Sequence, residues 1–484
     1  MNPGAIVKRL CTFACLVLLC ASALPAQQPR NVIIILSDDH RYDFMSFVTG
    51  APSFLQTPNL DRMAAGGLHL ANAFVTTSLC SPSRASILTG QYAHRHGVVD
   101  NTSGIPEGTV FFPSLLQQAG WRTAYIGKWH MGEDKDDPRP GFDYWVSFRG
   151  QGVYQDPTLN INGARREVKG YTTDVLTDQA VRYLDRVRAE RPSKPFFMIL
   201  GHKAVHAEFV PAPRHAGRYR DAVIPYPATM ARTEANLRDQ PNWVKAQRFS
   251  WHGVDYAYHG QFDFDTFYRR YAETTLALDE SVGRVLDYVQ KNGLAESTLV
   301  IYMSDNGFSL GEHGLIDKRH AYEESIRIPM IAWGPGLVPA GARADDLVRN
   351  IDVAPTILEL AGVRPSGPID GRSVLPILRG QRLTSAGEFL YEYYWEHAFP
   401  HTPTTFALRG DRFKYIYYHG VWDRQELFDL QTDPQERFNL VDLPAYQDTM
   451  KAMRARLWNK LQAEDAMRVP MRRGDWQACE RLVP

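Results

Sequence analysis

Two pairs of oxygen-bearing side chains stand at the ends of apolar runs that are far apart in the chain. Asp38 and Asp39 follow NVIIIL (Asn31 to Leu36), and Asp305 and Asn306 follow TLVIYM (Thr298 to Met303). All four are hard ligands with no cysteine or obligatory histidine among them, so the cation that suits them is calcium or magnesium rather than zinc. One aspartate alone at a strand end more often caps a turn or helix. Two acidic pairs gathered at one place are different, because the carboxylates repel each other and a divalent cation removes that repulsion.

A second group lies in TTSLCSPSRASILTG, Thr76 to Gly90. Of the five cysteines, Cys11, Cys15 and Cys20 fall in the first twenty residues, leaving Cys80 and Cys479 in the body. A disulfide framework therefore does not account for Cys80. Ser81 is suited to cap a helix, Pro82 to its first turn, and Arg84 to a terminus whose free N–H groups favour an anion. A thiol there is expected to be acidic and reactive. The plainer alternative is a small buried cysteine ahead of an ordinary helix.

These groups need elements that bring them together. Four apolar runs end in polar residues: the two above, WRTAYI (Trp121 to Ile126) before Gly127-Lys128-Trp129-His130, and FFMIL (Phe196 to Leu200) before Gly201-His202-Lys203 and His206. Apolar runs alternating with helical patterns predict an α/β fold with a central, largely parallel sheet flanked by helices. In such sheets ligands sit beyond the carboxyl ends of the strands, so the four termini are expected to converge. Leu278, Val282, Val285, Leu286 and Val289 have helical spacing, and Asn292-Gly293 supplies a stop. Beyond Gly371, FLYEYYW, FALRGDRFKYIYY and ELFDL read as short antiparallel strands, with Met450, Met453, Leu457 and Leu461 on one face of a closing helix. The expected division is 27–375 for a catalytic domain and 376–484 for a smaller antiparallel α+β subdomain.

CSPSRASILTG resembles the signature of the formylglycine-dependent sulfatases, the type I family of the alkaline phosphatase-like superfamily. Cys80, Pro82, Arg84, Leu88, Thr89 and Gly90 satisfy it, and SDDHRYD, GKWHMG, SDNGFSLGEHGLIDK and ELFDLQTDPQERFNL follow in the family's order. The resemblance implies that Cys80 is oxidised during export by a formylglycine-generating enzyme, and that the aldehyde hydrates to a geminal diol. It also implies one calcium ion held by Asp38, Asp39, Asp305 and Asn306 together with residue 80. One hydroxyl attacks sulfur, the alcohol leaves, and loss of the second hydroxyl's proton expels sulfate. His130 corresponds to the base for that elimination, Lys128 to a charge stabiliser, and His206 and Lys318 to the pair that grips sulfate and protonates the leaving oxygen. Val205 stands where the family has proline before this histidine, and His202 is a competing candidate. His40, His313 and His320 have no assigned role.

GFDYWVSFRGQGVYQDPTLNING and GYTTDVLTDQAV are similar to segments of carbohydrate sulfatases acting on 6-O-sulfated N-acetylglucosamine of glycosaminoglycan or mucin-type glycans. Trp145 and, in YYWEHAFPHTPTT, Trp395, Glu396, His397 and His401 are the candidates for holding the sulfated saccharide. The rivals are a phosphatase or phosphodiesterase on the same fold and a non-catalytic glycan-binding protein. Lys plus Arg equal Asp plus Glu at 54 each, so no global field points to nucleic acid or a membrane surface. Lys8 and Arg9 ahead of an apolar run from Leu10 to about Ala23, with small residues before Ala23 and Ala26, read as a signal peptide at 1–26. That run is too short for a stable membrane span. The expected location is outside the cytoplasm: periplasmic or secreted, or lysosomal in a eukaryote.

Overall fold

The computed structural model describes residues 31–469 apart from 133–134, 191–192, 261–262, 384–386 and 421; the expected signal peptide and Cys479 lie outside the described residues. Ten strands form one sheet: β1 (Asn31–Ser37), β2 (Leu68–Phe74), β3 (Arg122–Lys128), β4 (Tyr144–Phe148), β5 (Thr158–Ile161), β6 (Ala164–Glu167), β7 (Phe196–Gly201), β8 (Thr298–Ser304), β9 (Met330–Trp333) and β10 (Ala342–Arg349). Their spatial order is β10-β2-β9-β8-β1-β7-β3-β4-β5-β6. The central pairs β8-β1, β1-β7, β7-β3 and β3-β4 are parallel, and antiparallel pairing is confined to β9, β5 and β6.

β1 is apolar almost throughout because both of its faces are covered. Val32, Ile34 and Leu36 point into one core with Ile87, Leu88 and Val353, while Ile33 and Ile35 point into the other with Leu176, Leu184, Leu278 and Val282. The second core is roofed by helices Thr172–Glu190 and Phe264–Lys291. The latter begins well before the predicted periodic stretch, at a cap where the Asp263 carboxylate accepts from the Thr266 N–H at 2.8 Å, and it ends at Asn292 as expected.

Ser37 is in register with Ser304, and Leu36 and Gly127 with Gly201, so β1, β8, β7 and β3 end at one level. Gly127 has φ +120°, and a Cβ there would lie 1.8 Å from the Gly201 carbonyl oxygen. Only glycine allows that close approach, which carries Lys128 in toward the end of β1.

The remaining strands, β11 (Phe389–Tyr393), β12 (Thr405–Arg409), β13 (Phe413–Tyr418) and β14 (Glu426–Asp429), form a four-stranded antiparallel sheet in that order. Helix Gln447–Ala463 lays Met453, Leu457 and Leu461 on one of its faces, against Leu390, Leu408 and Tyr415. Phe389, Tyr391, Ala407 and Ile416 on the opposite face join the core of the large sheet.

Candidate active site

The four strand ends do converge. Oxygens of Asp38, Asp39 and Asp305 lie within 4.8 Å of one another, and all three residues are buried. Asn306, also buried, donates through Nδ2 to Asp39 Oδ1 at 2.7 Å, and its Oδ1 has no partner among the described residues. An amide oxygen orphaned against three carboxylates is a cation-binding arrangement built wholly of hard oxygens. Arg84, Lys128 and Lys318 answer the carboxylates: Arg84 Nε donates to Asp305 at 2.9 Å, Lys128 donates to Asp38, and Lys318 donates to Asp39 at 2.5 Å. Three cations match three carboxylates, so a divalent ion would leave the pocket cationic and suited to an anion.

Cys80 starts a fully buried helix, Cys80–Thr89. Its hydroxyls answer buried polar groups from other segments: Ser81 donates to the His130 carbonyl at 2.9 Å, Ser83 accepts from Asn350 at 2.9 Å, and Ser86 lies 3.0 Å from His96 Nε2. The N-cap is Leu79 with no side-chain cap, so Ser81 does not serve as the expected cap. The Cys80 sulfur donates to Asp38 Oδ1 at 3.3 Å and accepts from Lys318 Nζ at 2.9 Å. The expectation of an acidic thiol fails. Burial and the Asp38 charge push the thiol up to about 12, outweighing Lys128 and Lys318.

Burial also raises the carboxylates, with different outcomes. Lys128, His206 and Arg84 overcome it and hold Asp38 well below the usual range, whereas burial and Asp38 push Asp305 up to about 7. His130 and His206 are both held well below the ordinary imidazole value, first by burial and then by Lys128. His130 sits at φ +65°, a strained backbone for a histidine, with Nδ1 3.2 Å from the Ser81 hydroxyl. His206 Nδ1 is 2.6 Å from the Ala207 carbonyl, leaving Nε2 to face Asp39 at 3.8 Å. His202 turns away, with Nε2 2.9 Å from Ser281. His40 bonds Tyr302, His320 bonds Ser309, and His313 stacks on Tyr322.

A cavity of about 780 Å³ opens above this cluster, with Asp39, His130, His206 and Lys318 at its base. Glu396, Ala398 and Phe399 bring the C-terminal sheet to its wall. Of the saccharide candidates only Glu396 lies there. Trp145 is a correction: it is 1% exposed, stacked on Tyr125 and edge-on to Trp129, because its place on β4 faces the core. Trp395 is exposed but donates to the Pro400 carbonyl, and neither it, His397 nor His401 lines the cavity. The chain turns tightly here, with the Phe399 N–H donating to the Glu396 carbonyl at 3.1 Å, and of this group only Glu396 is held inward, by Arg319.

The cavity wall holds a charged network that the motifs did not reveal. Arg319 donates to Glu396 at 2.7 Å and to Asp317 at 3.0 Å, with its guanidinium carbon 3.6 Å from the Phe399 ring centre. His252 Nδ1 lies 2.9 Å from Asp317, and Lys203 lies over the Tyr154 ring. Asp317 and Arg319 flank Lys318, a signal that was available. His252 and Phe399 join through tertiary contact alone.

The model of the Sulfatase family matches residues 30–363, and that of the N-sulphoglucosamine sulphohydrolase C-terminal region matches 311–464. An N-acetylglucosamine-6-O-sulfatase of Bacteroides thetaiotaomicron is 33% identical, covering 93% of this chain and 89% of its own length. The human N-acetylglucosamine-6-sulfatase is 31% identical over 76% of this chain and 67% of itself. The solved structure of BT4656 with its substrate D-glucosamine-2-N,6-O-disulfate superposes with a TM-score of 0.83 at 30% identity, over 92% of this chain and 100% of that one. A phosphonate monoester hydrolase from Silicibacter pomeroyi, TM-score 0.76 at 21% identity over 90% of this chain and 95% of its own, shares the fold.

Proposed function

Since this chain belongs to the sulfatase family of sulfuric-ester hydrolases, we propose that it removes the 6-O-sulfate from N-acetylglucosamine units of sulfated glycans, with formylglycine made from Cys80 as its nucleophile. The observation that carries this reading is the burial of Cys80 between Asp38 and Lys318, the latter one of the residues that floor a cavity of about 780 Å³. A thiol held neutral is of little use as a nucleophile, and the same position suits an oxidised residue. Cys80 is 0% exposed, so its oxidation by a formylglycine-generating enzyme precedes folding, during export.

Asp38, Asp39, Asp305 and the free Asn306 oxygen are the residues that would hold one calcium ion, which supplies charge stabilisation for the sulfate and acidifies the attacking hydroxyl. Lys128 and Lys318 attract the sulfate oxygens, and Arg84 holds Asp305 and the Lys128 carbonyl in place. His206, with Nδ1 fixed on Ala207, delivers a proton from Nε2 to the departing sugar oxygen. Burial first, and then Lys128 and Lys318, hold His206 well below the ordinary imidazole value, and the substrate's negative charge acts against the lysines' share of that depression. His130, held neutral, then takes the proton whose loss expels sulfate.

The ring is held by the wall, where Arg319, Asp317, His252 and Glu396 can exchange mutual bonds for bonds to sugar hydroxyls. A primary 6-O-sulfate projects from the ring and reaches residue 80 while the ring stays at the wall. Residues 27–375 form the catalytic unit in this reading, and 376–484 contribute Glu396. Export is supported by the N-terminal segment and by extracellular sulfatases among the relatives, from Caenorhabditis elegans and Drosophila melanogaster. Among the described residues no helix is long and apolar enough to cross a membrane.

Chromatography of a panel of defined saccharides tests the substrate. 6-O-sulfated N-acetylglucosamine is expected to be desulfated faster than its 3-O-sulfated isomer or 6-O-sulfated galactose, and chain-end units faster than internal ones. A wall built to pair hydroxyls discriminates strongly, because the wrong epimer leaves polar groups unmatched. Preference for a galactose or uronic-acid sulfate would overturn the substrate. Faster hydrolysis of aryl phosphate than aryl sulfate would favour the phosphatase reading.

A further inference from the structure

A second groove, of about 800 Å³, lies between the loop after β13, helix Asn242–Gln247 and the Gln447–Ala463 helix. Arg238, Lys245 and Arg454 face it from three separate segments, and none of them pairs with a carboxylate among the described residues. Arg424, also at the groove, is already tied to Asp239 at 3.0 Å and Asp442 at 3.3 Å. The groove's own acid, Asp423, accepts from the backbone N–H groups of Asn242 and Trp243 at 2.8 and 2.9 Å. Trp422 stands fully exposed at the rim.

Single exposed aromatics or unpaired cations are ordinary on a protein surface. Here three free cations and a bare indole surround one concavity on a chain with equal numbers of acidic and basic side chains. Cations spaced along a groove suit a polyanion with repeated charges, and an exposed indole offers a flat apolar face for a sugar ring. The groove also shares a support with the catalytic cavity. Helix Asn242–Gln247 presents Lys245 to the groove, while Gln247 Nε2 donates to Asp317 Oδ2 at 2.7 Å in the cavity wall. That offset is two residues, about 3 Å of helix rise.

We infer that this groove is an exosite that holds a distal stretch of the sulfated glycan chain whose end unit occupies the catalytic cavity. It rests on the glycan-sulfatase reading above, and it makes a polymer a better substrate than its isolated end unit. The anionic groups of the chain lie against Arg238, Lys245 and Arg454, and one ring stacks on Trp422.

The test compares wild-type protein with the triple variant Arg238→Glu, Lys245→Glu, Arg454→Glu and with Trp422→Ala, all at exposed or half-buried positions. Turnover is measured on 6-O-sulfated N-acetylglucosamine and on a sulfated heparin-type octasaccharide whose end unit is the same 6-O-sulfated N-acetylglucosamine. The triple variant is expected to raise KM for the octasaccharide about tenfold, and Trp422→Ala severalfold, with the monosaccharide unchanged within about twofold; added salt should erase the wild-type advantage. Equal effects on the two substrates, or none on either, would overturn the exosite. Retention on an immobilised heparin-type fragment, eluted with salt, reads binding without turnover. Wild-type retention that the triple variant loses, in protein that desulfates no sugar, would leave the exosite standing and sink the catalytic reading. Tighter retention on a DNA duplex of equal charge would overturn the glycan as occupant.

Discussion

Replacing Asp305 by asparagine preserves shape and removes one charge from the strand-end cluster. Asp305 Oδ2 accepts from Arg84 Nε at 2.9 Å and Oδ1 from the Asp39 N–H at 3.2 Å, with both side chains of the ion pair almost wholly buried. Asparagine has one acceptor oxygen, so its NH2 must face one of these donors. Arg84 then keeps only the Lys128 carbonyl at 2.5 Å and Asp38 at 3.6 Å. Removing one partner of a buried ion pair costs about 3–5 kcal/mol, and the two surviving contacts place this case near 3. Unfolding entropy of about 2.1 cal/mol/K per residue over roughly 440 residues turns that into a fall in Tm of about 3 °C. The second effect is on the cation. Calcium at about 100 times its Kd stabilises the wild-type protein by about 2.7 kcal/mol, a further shift of similar size that the variant should lack. Thermal melts with calcium and with chelator, beside sulfate release from an aryl sulfate, separate the two effects. A variant that keeps the calcium-dependent rise in Tm and wild-type turnover would refute the assignment of Asp305 to the cation site.

The proton-transfer groups should divide by step: His130→Ala should accumulate a covalently sulfated residue 80, visible by peptide mass spectrometry. His206→Ala should lose most activity on sugars and least on nitrophenyl sulfate, whose leaving group needs no acid. Identical responses of the two variants to leaving-group pKa would contradict that division. Glu396→Gln weakens the hold on Arg319 and should raise KM for the saccharide about tenfold, near 1.4 kcal/mol, while leaving an aryl sulfate unchanged; an equal loss on both would remove Glu396 from sugar recognition. Burial holds His40 at about 4, below the ordinary 6.5, so the unfolded chain takes the proton first. Its contribution to stability is complete above pH 6.5 and falls by about 1.4 kcal/mol per unit down to pH 4, about 3 kcal/mol in all. Melts of His40→Gln should show a shallower acid limb than wild type, and parallel limbs would contradict this.

The parallel core was legible because a strand covered on both faces must be apolar along its whole length, as β1 and β8 are, and because each such run stops abruptly at polar residues. The convergence of Asp38, Lys128, His206 and Asp305 then followed from the rule that ligands gather beyond the carboxyl ends. Chemistry set by surroundings was not legible. The Cys80 thiol was expected to be acidic from the local sequence, whereas complete burial beside Asp38 decides its proton affinity. Trp145 belongs to a run of aromatics that serves either a core or a sugar, and only the pairing of β4 with β3 assigns it to the core. His252 and Phe399 are 147 positions apart by number yet 4.8 Å apart as rings, a contact made by the C-terminal sheet folding back over the cavity.

The central claim is that residue 80 acts as formylglycine in a sulfate-ester hydrolase, and peptide mass spectrometry of active protein tests it most directly. Protein produced with a formylglycine-generating enzyme should carry the aldehyde at position 80 in proportion to its sulfatase activity, and Cys80→Ala should have neither. Full sulfatase activity in protein whose residue 80 remains an unmodified cysteine would contradict the account.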